Sequence, residues 1–450
     1  MNDLTKPDLL DCNIIPLAPP RLYGDIHVSL YRLEYPGIDL IDIPGNLSDD
    51  LFYCGSPQND TACLAIGSVI EFAAESYYDV NRIARKLVYH EPEELPCPLP
   101  DWFCYISFPF ESSPGIPYAK FVMPEFMIKR EGSQFTLRVN TREPHFNGPE
   151  DTISRVKGLL NRMRDIRFRG HKLAEVSIVD DPREFFYSGI DRIKDAVSAG
   201  RISKGVLSRD RKIEFTGDFS FPQALRELSS NYPECTIIFT NYPGRRFIAA
   251  TPERLFRLEG KTVKTEALAG SIKTESDADD QLIMEEQLLL SGKDFEEHVI
   301  VRDYLTARLA PVAETISYSE RPEVKKLSNV THLRTPIDAT LKDGVTAVDL
   351  GKLLFPTPAL CGEPMETAAE LINSIEHRKR DLYGGVTGFI SNHGMSEFYV
   401  SIRCGFVDDN QATLYAGCGI VAGSDPQSEY EETNLKFIPL TSLFTDANQS

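Results

Sequence analysis

Short strand-like stretches joined by tight turns constrain the fold of this chain more than any other feature. Near the C-terminus, GGVTGFIS (384–391), SEFYVSIRCGFV (396–407) and QATLYAGCGIVAG (411–423) are separated by Asn392-His393-Gly394 and Asp408-Asp409-Asn410. Turns this short connect antiparallel neighbours, because a parallel pair needs a much longer crossover connection. Residues 23–140 repeat the pattern with Pro- and Gly-rich breaks. The chain is therefore predicted to be an α+β protein built mostly on antiparallel sheets.

Several segments between these stretches have the length and spacing of helices. They are 71–90, the basic stretch 154–172, 181–200, 221–232, 277–290, 294–309 and 425–440. In the third of them, Asp181 is predicted to cap the N-terminus, Pro182 to take the first helical position and Gly200 to end the helix. The basic stretch is interpreted as a solvated helix face and linker, not as a nucleic-acid site.

Length and charge exclude several classes of protein. The 450 residues suffice for a large core, and 48 Lys and Arg against 67 Asp and Glu give a net charge of −19, which repels nucleic acid. The longest apolar runs fall short of the roughly 20 residues of a membrane helix. The nine cysteines are scattered without a CxxC pair, and residues 1–20 do not resemble a targeting peptide. A cytoplasmic protein with reduced thiols is predicted.

Two predicted helices carry acidic pairs on one face. Glu429 and Glu432 lie at i and i+3 with Lys436 one turn further, and Asp294 and Glu297 repeat the spacing on the other helix. Carboxylates from two helices would supply the oxygen ligands that Mg²⁺ prefers. An acidic pair taken alone is more commonly a solvated helix face, so the spacing leaves both interpretations open.

Four further positions also allow two interpretations. Arg403, placed on the strand 396–407, is either a bidentate donor to a carboxylate or an exposed arginine. Gly417 and Gly419 indicate the close approach of a ligand or backbone, or a β-bulge. Lys204 lies in an apolar stretch and is either a buried general base or a lysine that reaches the surface. These residues suggest an enzyme for a small anionic substrate.

An ordered series of strings across residues 185–445 resembles the chorismate-binding enzymes, which include anthranilate, aminodeoxychorismate, isochorismate and salicylate synthases. The strings are SKGVLSR (203–209), ATPERLFRL (250–258), LAGS (268–271), DFEEH (294–298), SNVTHLRTPI (328–337), PTPALCG (356–362), RDLYGGVTGF (380–389), SIRCG (401–405) and YAGCGIVAGSDPQSEYEET (415–433), followed by Lys436. The resemblance implies a large two-layered antiparallel β-sheet core with surrounding helices. Residues 1–180 would form a variable β-rich portion of it, and 181–450 the catalytic region.

The resemblance also implies a role for each matching residue. Lys204 matches the general base that activates water at C2 of chorismate, and Glu253 matches the general acid that protonates the C4 hydroxyl. His332 matches a histidine near the enolpyruvyl leaving site, with a purely structural role as the alternative. Glu297 and Glu432 match ligands of Mg²⁺, with Asp294 and Glu429 as nearby or water-mediated partners. The implied substrate-binding set is Ala269, Gly270, Ser271, Thr357, Tyr383, Arg403, Gly417, Gly419 and Lys436.

Within the family, Ser271 and the PTPALCG string are similar to those of isochorismate synthases, since ammonia-using relatives usually carry Thr in place of Ser271. The resemblance therefore implies a Mg²⁺-dependent isomerisation of chorismate to isochorismate by a monomer or homodimer without a glutaminase subunit. A salicylate synthase, which goes on to eliminate pyruvate, is the alternative. An anthranilate synthase-type subunit or a non-catalytic acidic interaction module is less favoured. The pathway, whether to a siderophore, menaquinone or salicylate, stays open.

Overall fold

A computed structural model describes residues 12–42, 50–76, 79–87, 101–108, 113–114, 116–143, 145–164, 170–391 and 395–445. The predicted turn at 392–394 and the first 11 residues lie outside the described residues. None of the described helices is both long enough and apolar enough to cross a membrane.

The described residues form 24 strands and nine α-helices. The strands are β1 (Asn13–Pro16), β2 (Arg21–Tyr23), β3 (Ile26–Glu34), β4 (Leu51–Ser56), β5 (Thr61–Ile66), β6 (Ile70–Ala74), β7 (Trp102–Ile106), β8 (Ala119–Met123), β9 (Phe126–Glu131), β10 (Gln134–Arg142), β11 (Lys172–Asp180), β12 (Lys204–Asp218), β13 (Thr236–Tyr242), β14 (Arg245–Thr251), β15 (Arg254–Glu259), β16 (Thr262–Lys273), β17 (Ala313–Tyr318), β18 (Glu323–Lys326), β19 (Val330–Leu341), β20 (Gly362–Glu363), β21 (Val386–Ile390), β22 (Met395–Val400), β23 (Cys404–Val407) and β24 (Gln411–Ile420). The helices are α1 (Val80–Leu87), α2 (Pro149–Arg164), α3 (Arg183–Ser198), α4 (Phe221–Asn231), α5 (Ala278–Leu290), α6 (Gly292–Leu309), α7 (Ala347–Leu354), α8 (Met365–Glu376) and α9 (Pro426–Thr445).

These strands form two antiparallel sheets. The first sheet has 14 strands in the order β1-β3-β10-β9-β5-β4-β13-β14-β23-β24-β12-β11, with β2 beside β3 and β20 beside β12. The second has 10 strands in the order β17-β19-β16-β15-β22-β21-β7-β8-β6, with β18 also beside β19. The predicted α+β class with antiparallel sheets is confirmed.

The two sheets pack face to face through a layer of aromatic side chains. Phe52 of the first sheet stacks on Phe103 of the second with ring centroids 5.4 Å apart, and both belong to one buried cluster with Tyr242, Phe389 and Phe406. The outer face of the first sheet is covered by α2, α4 and α9, and that of the second by α1, α6 and α7. The two-layered core with surrounding helices implied by the resemblance is therefore confirmed.

Strands from residues 1–180 are inserted into both sheets. In the first sheet β4 pairs with β13, and in the second β7 pairs with β21. The N-terminal portion and the remainder therefore share their hydrogen-bonded sheets, so that neither could be removed without opening a sheet edge.

The structure corrects two helix predictions. The predicted helix 71–90 is wrong in its first part, because Ile70–Ala74 is β6, which pairs with β8, and α1 starts only at Val80. The N-cap of α3 is Pro182, one residue after the predicted Asp181; the Asp181 carboxylate instead accepts a bond from the Asp210 amide. Gly200 has φ +67°, as a residue ending a helix requires.

The predicted single strand 396–407 is also wrong, and this correction matters for function. Its first half is β22 in the second sheet and its second half is β23 in the first sheet. Between them Arg403 adopts a left-handed φ of +48°. The chain makes the reverse crossing between β14 and β15, at Pro252 and Glu253. The two crossings are joined by a bond from the Val400 amide to the Glu253 carbonyl, 3.0 Å.

Helix α9 is held against β12 by a buried arginine. The Arg209 guanidinium lies 4.1 Å from the Tyr430 ring centroid and 4.8 Å from that of Phe437. It also donates to Thr433 Oγ1 at 2.8 Å and to Asn434 Oδ1. Because these contacts are desolvated, they fix the rotation of α9 and the direction in which its acidic face points.

Arg209→Ala is expected to lower the free energy of unfolding by about 3 kcal/mol, because it removes a buried charge that packs on two rings and satisfies two side chains. Urea denaturation of the purified variant measures this loss. Arg192→Ala is the matched control, since Arg192 is exposed and, among the described residues, bonds only to Ser374. Equal losses in the two variants would contradict the role given to Arg209.

Candidate active site

A cavity that is partly open to solvent lies where the two crossings meet α6 and α9. Its walls include most of the residues proposed from the sequence as a site. These are Glu253, Ala269, Gly270, Ser271, Glu297, His332, Tyr383, Arg403, Gly417, Gly419, Glu432 and Lys436. The structure thus brings together residues that are up to 183 positions apart, from Glu253 to Lys436.

Three groups of proposed residues stand behind the wall. Lys204 is fully buried at the start of β12 and reaches the wall through Glu297, whose Oε1 is 2.9 Å from Lys204 Nζ. Asp294 and Glu429 flank Glu297 and Glu432 on their helices. Thr357 is buried with its carbonyl accepting the Leu360 and Cys361 amides, and it is Ala359 and Leu360 that face the cavity.

The two glycines of β24 are required by side chains lying above the strand. A Cβ at Gly419 would come within 2.0 Å of Glu297 Oε1 and 2.5 Å of Lys204 Cε. A Cβ at Gly417 would come within 2.6 Å of the Tyr383 hydroxyl oxygen. The pairing of β24 with β12 shows no register shift here, so close approach rather than a β-bulge explains these glycines.

A bulge does occur on the opposite wall, at Gly270 of β16. The pairing of β16 with β19 shifts register between Ala269 and Ser271, and Gly270 has φ +78°. The shift brings Ser271 opposite His332, where the Ser271 Oγ and His332 Nδ1 atoms are 2.9 Å apart. The glycine is needed because its conformation is one that other residues rarely adopt.

His332 is held as a neutral imidazole with its proton on Nδ1. Arg403 Nη2 lies 3.2 Å from His332 Nε2, and a guanidinium can only donate, so Nε2 accepts. The Nδ1 proton is then directed to the Gly270 carbonyl at 3.2 Å. Burial and the Arg403 charge together lower the pKa of His332 well below its ordinary value. His332 therefore accepts a hydrogen bond from Arg403 and orients its guanidinium group.

Glu253 is a buried carboxyl group placed by the crossing from β14 to β15. Its amide donates to Thr251 Oγ1 at 3.2 Å, and its side chain faces the cavity. Burial, followed by the negative charge of Glu266, raises the pKa of Glu253 to about 7. A carboxyl group with this pKa is available as a proton donor at neutral pH.

The acidic faces of α6 and α9 meet beside the cavity, and lysines lie among them. Lys436 Nζ donates to the Gly417 carbonyl at 2.9 Å and to Glu432. Burial opposes ionisation of Glu297, but the Lys204 and Lys293 ammonium groups lower its pKa below the ordinary value. In Glu429, burial and the neighbouring charge of Glu432 raise the pKa to about 7. The acidic faces of α6 and α9 therefore form a charged site beside the cavity and are not solvated helix surface.

The donor set is compatible with a hard divalent cation, although the present arrangement is held by ammonium groups. Among the residues covered by the structure, no three His, Cys, Asp or Glu side chains are close enough to share one metal ion. Yet Glu429 is only 2% exposed, and its Oε2 atom has no hydrogen-bond partner among the described residues. An unpartnered buried carboxylate oxygen beside Glu297 and Glu432 fits a site that accepts a cation such as Mg²⁺.

Sequence reasoning missed Lys293, which lies among these carboxylates. Its Nζ atom is 3.0 Å from Glu429 Oε1 and 3.7 Å from Glu297 Oε2. The sequence signal was its position directly before Asp294 and four residues before Glu297. The strings of the resemblance also contain Leu268, Leu360 and Ile402, but sequence reasoning assigned no role to these apolar residues of the cavity wall.

Comparisons with known proteins agree with this geometry. A family model described as chorismate binding enzyme matches residues 29–445. The isochorismate synthase MenF of Bacillus subtilis (strain 168) is 30% identical over 326 residues, which cover 72% of this chain and 69% of that protein. The crystal structure of a putative 2,3-dihydroxybenzoate-specific isochorismate synthase, DhbC from Bacillus anthracis, is 25% identical with a TM-score of 0.72, covering 91% of this chain and 98% of that one. The menaquinone-specific isochorismate synthase MenF of Escherichia coli has the same fold, with a TM-score of 0.78 at 24% identity over 95% of this chain and 96% of that one.

The raised pKa of Glu253 predicts a pH-dependent effect of Glu253→Gln on stability. Between pH 4.5 and about 7 the folded protein keeps a proton that the unfolded chain has lost, so wild-type stability falls across this window as pH rises. The fall is about 3 kcal/mol. Because Gln cannot ionise, its free energy of unfolding does not fall in this way. The difference in free energy of unfolding between Glu253→Gln and wild type should therefore shift by about 3 kcal/mol in favour of the variant from about pH 4 to about pH 8.

Urea denaturation of both proteins at the two pH values measures this difference. Glu259→Gln serves as the control, because Glu259 is exposed and no comparable change with pH is expected there. A Glu253→Gln effect that is the same at both pH values would show that the Glu253 carboxyl titrates alike in the folded and the unfolded protein, and would contradict the raised pKa.

Proposed function

The chain belongs to the family of chorismate-binding enzymes, and we propose that it is an isomerase that converts chorismate into isochorismate with the help of Mg²⁺. The observation that carries the proposal is the buried Glu253 carboxyl, with a pKa of about 7, on the wall of a cavity that also holds Arg403 and Lys436. The relatives named above as isochorismate synthases support the choice of product.

Chorismate is a dianion, and the cavity offers fixed cations for its carboxylates. Arg403 is buried and held by His332, so its guanidinium is oriented before a ligand arrives. Such a preorganised arginine suits bidentate binding of the enolpyruvyl carboxylate. Tyr383, stacked on Tyr415 with centroids 5.2 Å apart, lines the cavity and would complete this end of the site.

The ring carboxylate would lie at the acidic end of the cavity. Glu297 and Glu432, with Asp294 and Glu429 behind them, would hold Mg²⁺, which when bound would neutralise the charge of the ring carboxylate. Lys436, fixed by the Gly417 carbonyl, would lie next to the same carboxylate. Without added positive charge, the carboxylates of this end would repel a dianion.

The reaction requires an acid and a base. Glu253 gives its proton to the C4 hydroxyl, which leaves as water, while a second water adds at C2 and the ring double bonds shift between the two carbons. Lys204 takes the proton that the attacking water loses, so proton transfer from Lys204 to Glu253 restores the starting state. A lysine is a base only without its proton. The assignment therefore requires Glu297 to give up its ion pair with Lys204 when the site is loaded.

We also propose that this enzyme acts in the cytoplasm, without a glutaminase subunit, as a monomer or homodimer. Ser271 lines the cavity wall and supports the use of water rather than ammonia, since the resemblance implies Thr at this position in ammonia-using relatives.

Incubation with chorismate and Mg²⁺ is expected to give isochorismate as the sole product. A proton NMR time course identifies it directly. Salicylate together with pyruvate would instead identify a salicylate synthase, and unchanged chorismate would refute the proposal.

Lys204→Ala and Glu253→Gln are each expected to lower kcat by about 10²–10⁴-fold, as loss of a general base or acid does, while both proteins remain folded. The matched controls are Lys212→Ala, an exposed lysine of the same strand, and Glu259→Gln. In wild type, kcat/KM should also fall as pH rises through about 7, because Glu253 of the free protein loses its proton there. Turnover near the wild-type rate in either site variant would exclude that residue from the proposed role.

A further inference from the structure

Lys293 occupies a position among the carboxylates that no role in the proposed reaction explains. It is the second residue of α6. Its ammonium nitrogen lies 3.0 Å from Glu429 Oε1, 3.6 Å from Asp294 Oδ1 and 3.7 Å from Glu297 Oε2. It therefore touches acids of both helices at once.

The other lysines of the site are engaged elsewhere. Lys204 contacts the other oxygen of Glu297, and Lys436 contacts Glu432. Within the part of the chain that the structure describes, Lys293 is thus the cation that faces Glu429, a side chain only 2% exposed with one oxygen left without a hydrogen bond. Without Lys293, Glu297 would keep its contact with Lys204, but Asp294 and Glu429 would lose the ammonium group that they face, which is unfavourable in a buried site.

A divalent cation would need the same oxygens. Mg²⁺ binds carboxylate oxygens at about 2.0–2.1 Å, so a cation held by Glu297 and Glu432 would enter the space beside Glu297 Oε2, which the Lys293 ammonium group now faces at 3.7 Å. We propose that Lys293 is a built-in counter-ion, which holds Asp294, Glu297 and Glu429 together in the free protein and leaves this space when a divalent cation enters. The inference rests on the metal site of the proposed function, and it adds that the Lys293 ammonium group competes with Mg²⁺ for that site.

The surroundings of Lys293 allow it to move. Its side chain is 24% exposed, so the ammonium group has a route to water along the protein surface. The neighbouring Gly423 is exposed and contributes no side chain; even an added Cβ there would only reach ordinary contact, 3.7 Å from the Lys293 Cβ and Cγ atoms. Lys204, in contrast, is fully buried and has no such route.

Competition of this kind weakens metal binding in exchange for a stable free protein. The metal has to displace an ion pair that is already formed, so part of its binding free energy is used to separate Lys293 from its partners. Removing the ammonium group should then strengthen metal binding and weaken the metal-free fold. A lysine that helped to bind the metal would have the opposite effect on affinity.

The test is calorimetric titration of MgCl₂ into metal-free protein, without chorismate, for wild type and Lys293→Met. The variant should bind Mg²⁺ about tenfold more tightly. Metal-free Lys293→Met should also unfold at a lower temperature than wild type, and saturating Mg²⁺ should raise its Tm by more than it raises that of wild type. Lys293→Arg keeps the charge and should show no gain in affinity. Lys261→Met, at an exposed lysine paired with Asp343, should leave both measurements unchanged.

Mg²⁺ affinity in Lys293→Met that equals or falls below that of wild type overturns the inference. If the metal-free variant does not fold, Lys293→Gln, which keeps a polar side chain without the charge, is measured in its place under the same criterion. If no protein in the series binds Mg²⁺, both the inference and the metal part of the proposed function fail. Tighter Mg²⁺ binding by Lys293→Met without isochorismate formation by wild type would refute the proposed reaction alone.

Discussion

The carboxylates of α6 and α9 can share one buried space only because ammonium groups lie between them. Lys204 and Lys293 contact Glu297, Lys293 also contacts Glu429, and Lys436 contacts Glu432. The three lysines come from β12, α6 and α9. The site therefore forms only when both sheets and both helices are in place. The charges therefore connect the fold to the chemistry, since loss of a cation weakens the charge compensation of at least one desolvated carboxylate.

The backbone around this cluster is shaped to let charged side chains approach it. Gly419 leaves room for Glu297 and Lys204, and Gly417 leaves room for the Tyr383 hydroxyl. The chain crosses between the sheets at Glu253 and again near Arg403. A residue at such a crossing faces the space between the two layers instead of one sheet surface. This placement explains how the Glu253 carboxyl and the Arg403 guanidinium come to line the same cavity.

Much of the fold followed from local patterns. The strands of residues 23–140 and the helices α4, α5 and α6 agree with the predicted segments, because alternating or helical spacing of apolar residues reports which face is buried. Ile70–Ala74 was mistaken for helix because the segment joins a helical pattern, while its pairing with β8 depends on a strand almost 50 residues away. Local spacing likewise could not show that residues 396–407 leave one sheet and enter the other, since the apolar alternation continues across the crossing.

The sequence by itself determined the antiparallel character, the acidic pairs at helical spacing, and the order of motifs that identifies the family, because each depends only on neighbouring residues or their order. Only the tertiary structure decided that the acidic faces are buried, that close approach explains Gly417 and Gly419, and that His332 orients Arg403. It also placed Thr357 behind the cavity wall and Lys293 among the carboxylates. The physical reason is that burial, charge pairing and pKa arise from groups brought together across the chain, and spacing along a sequence does not specify those contacts.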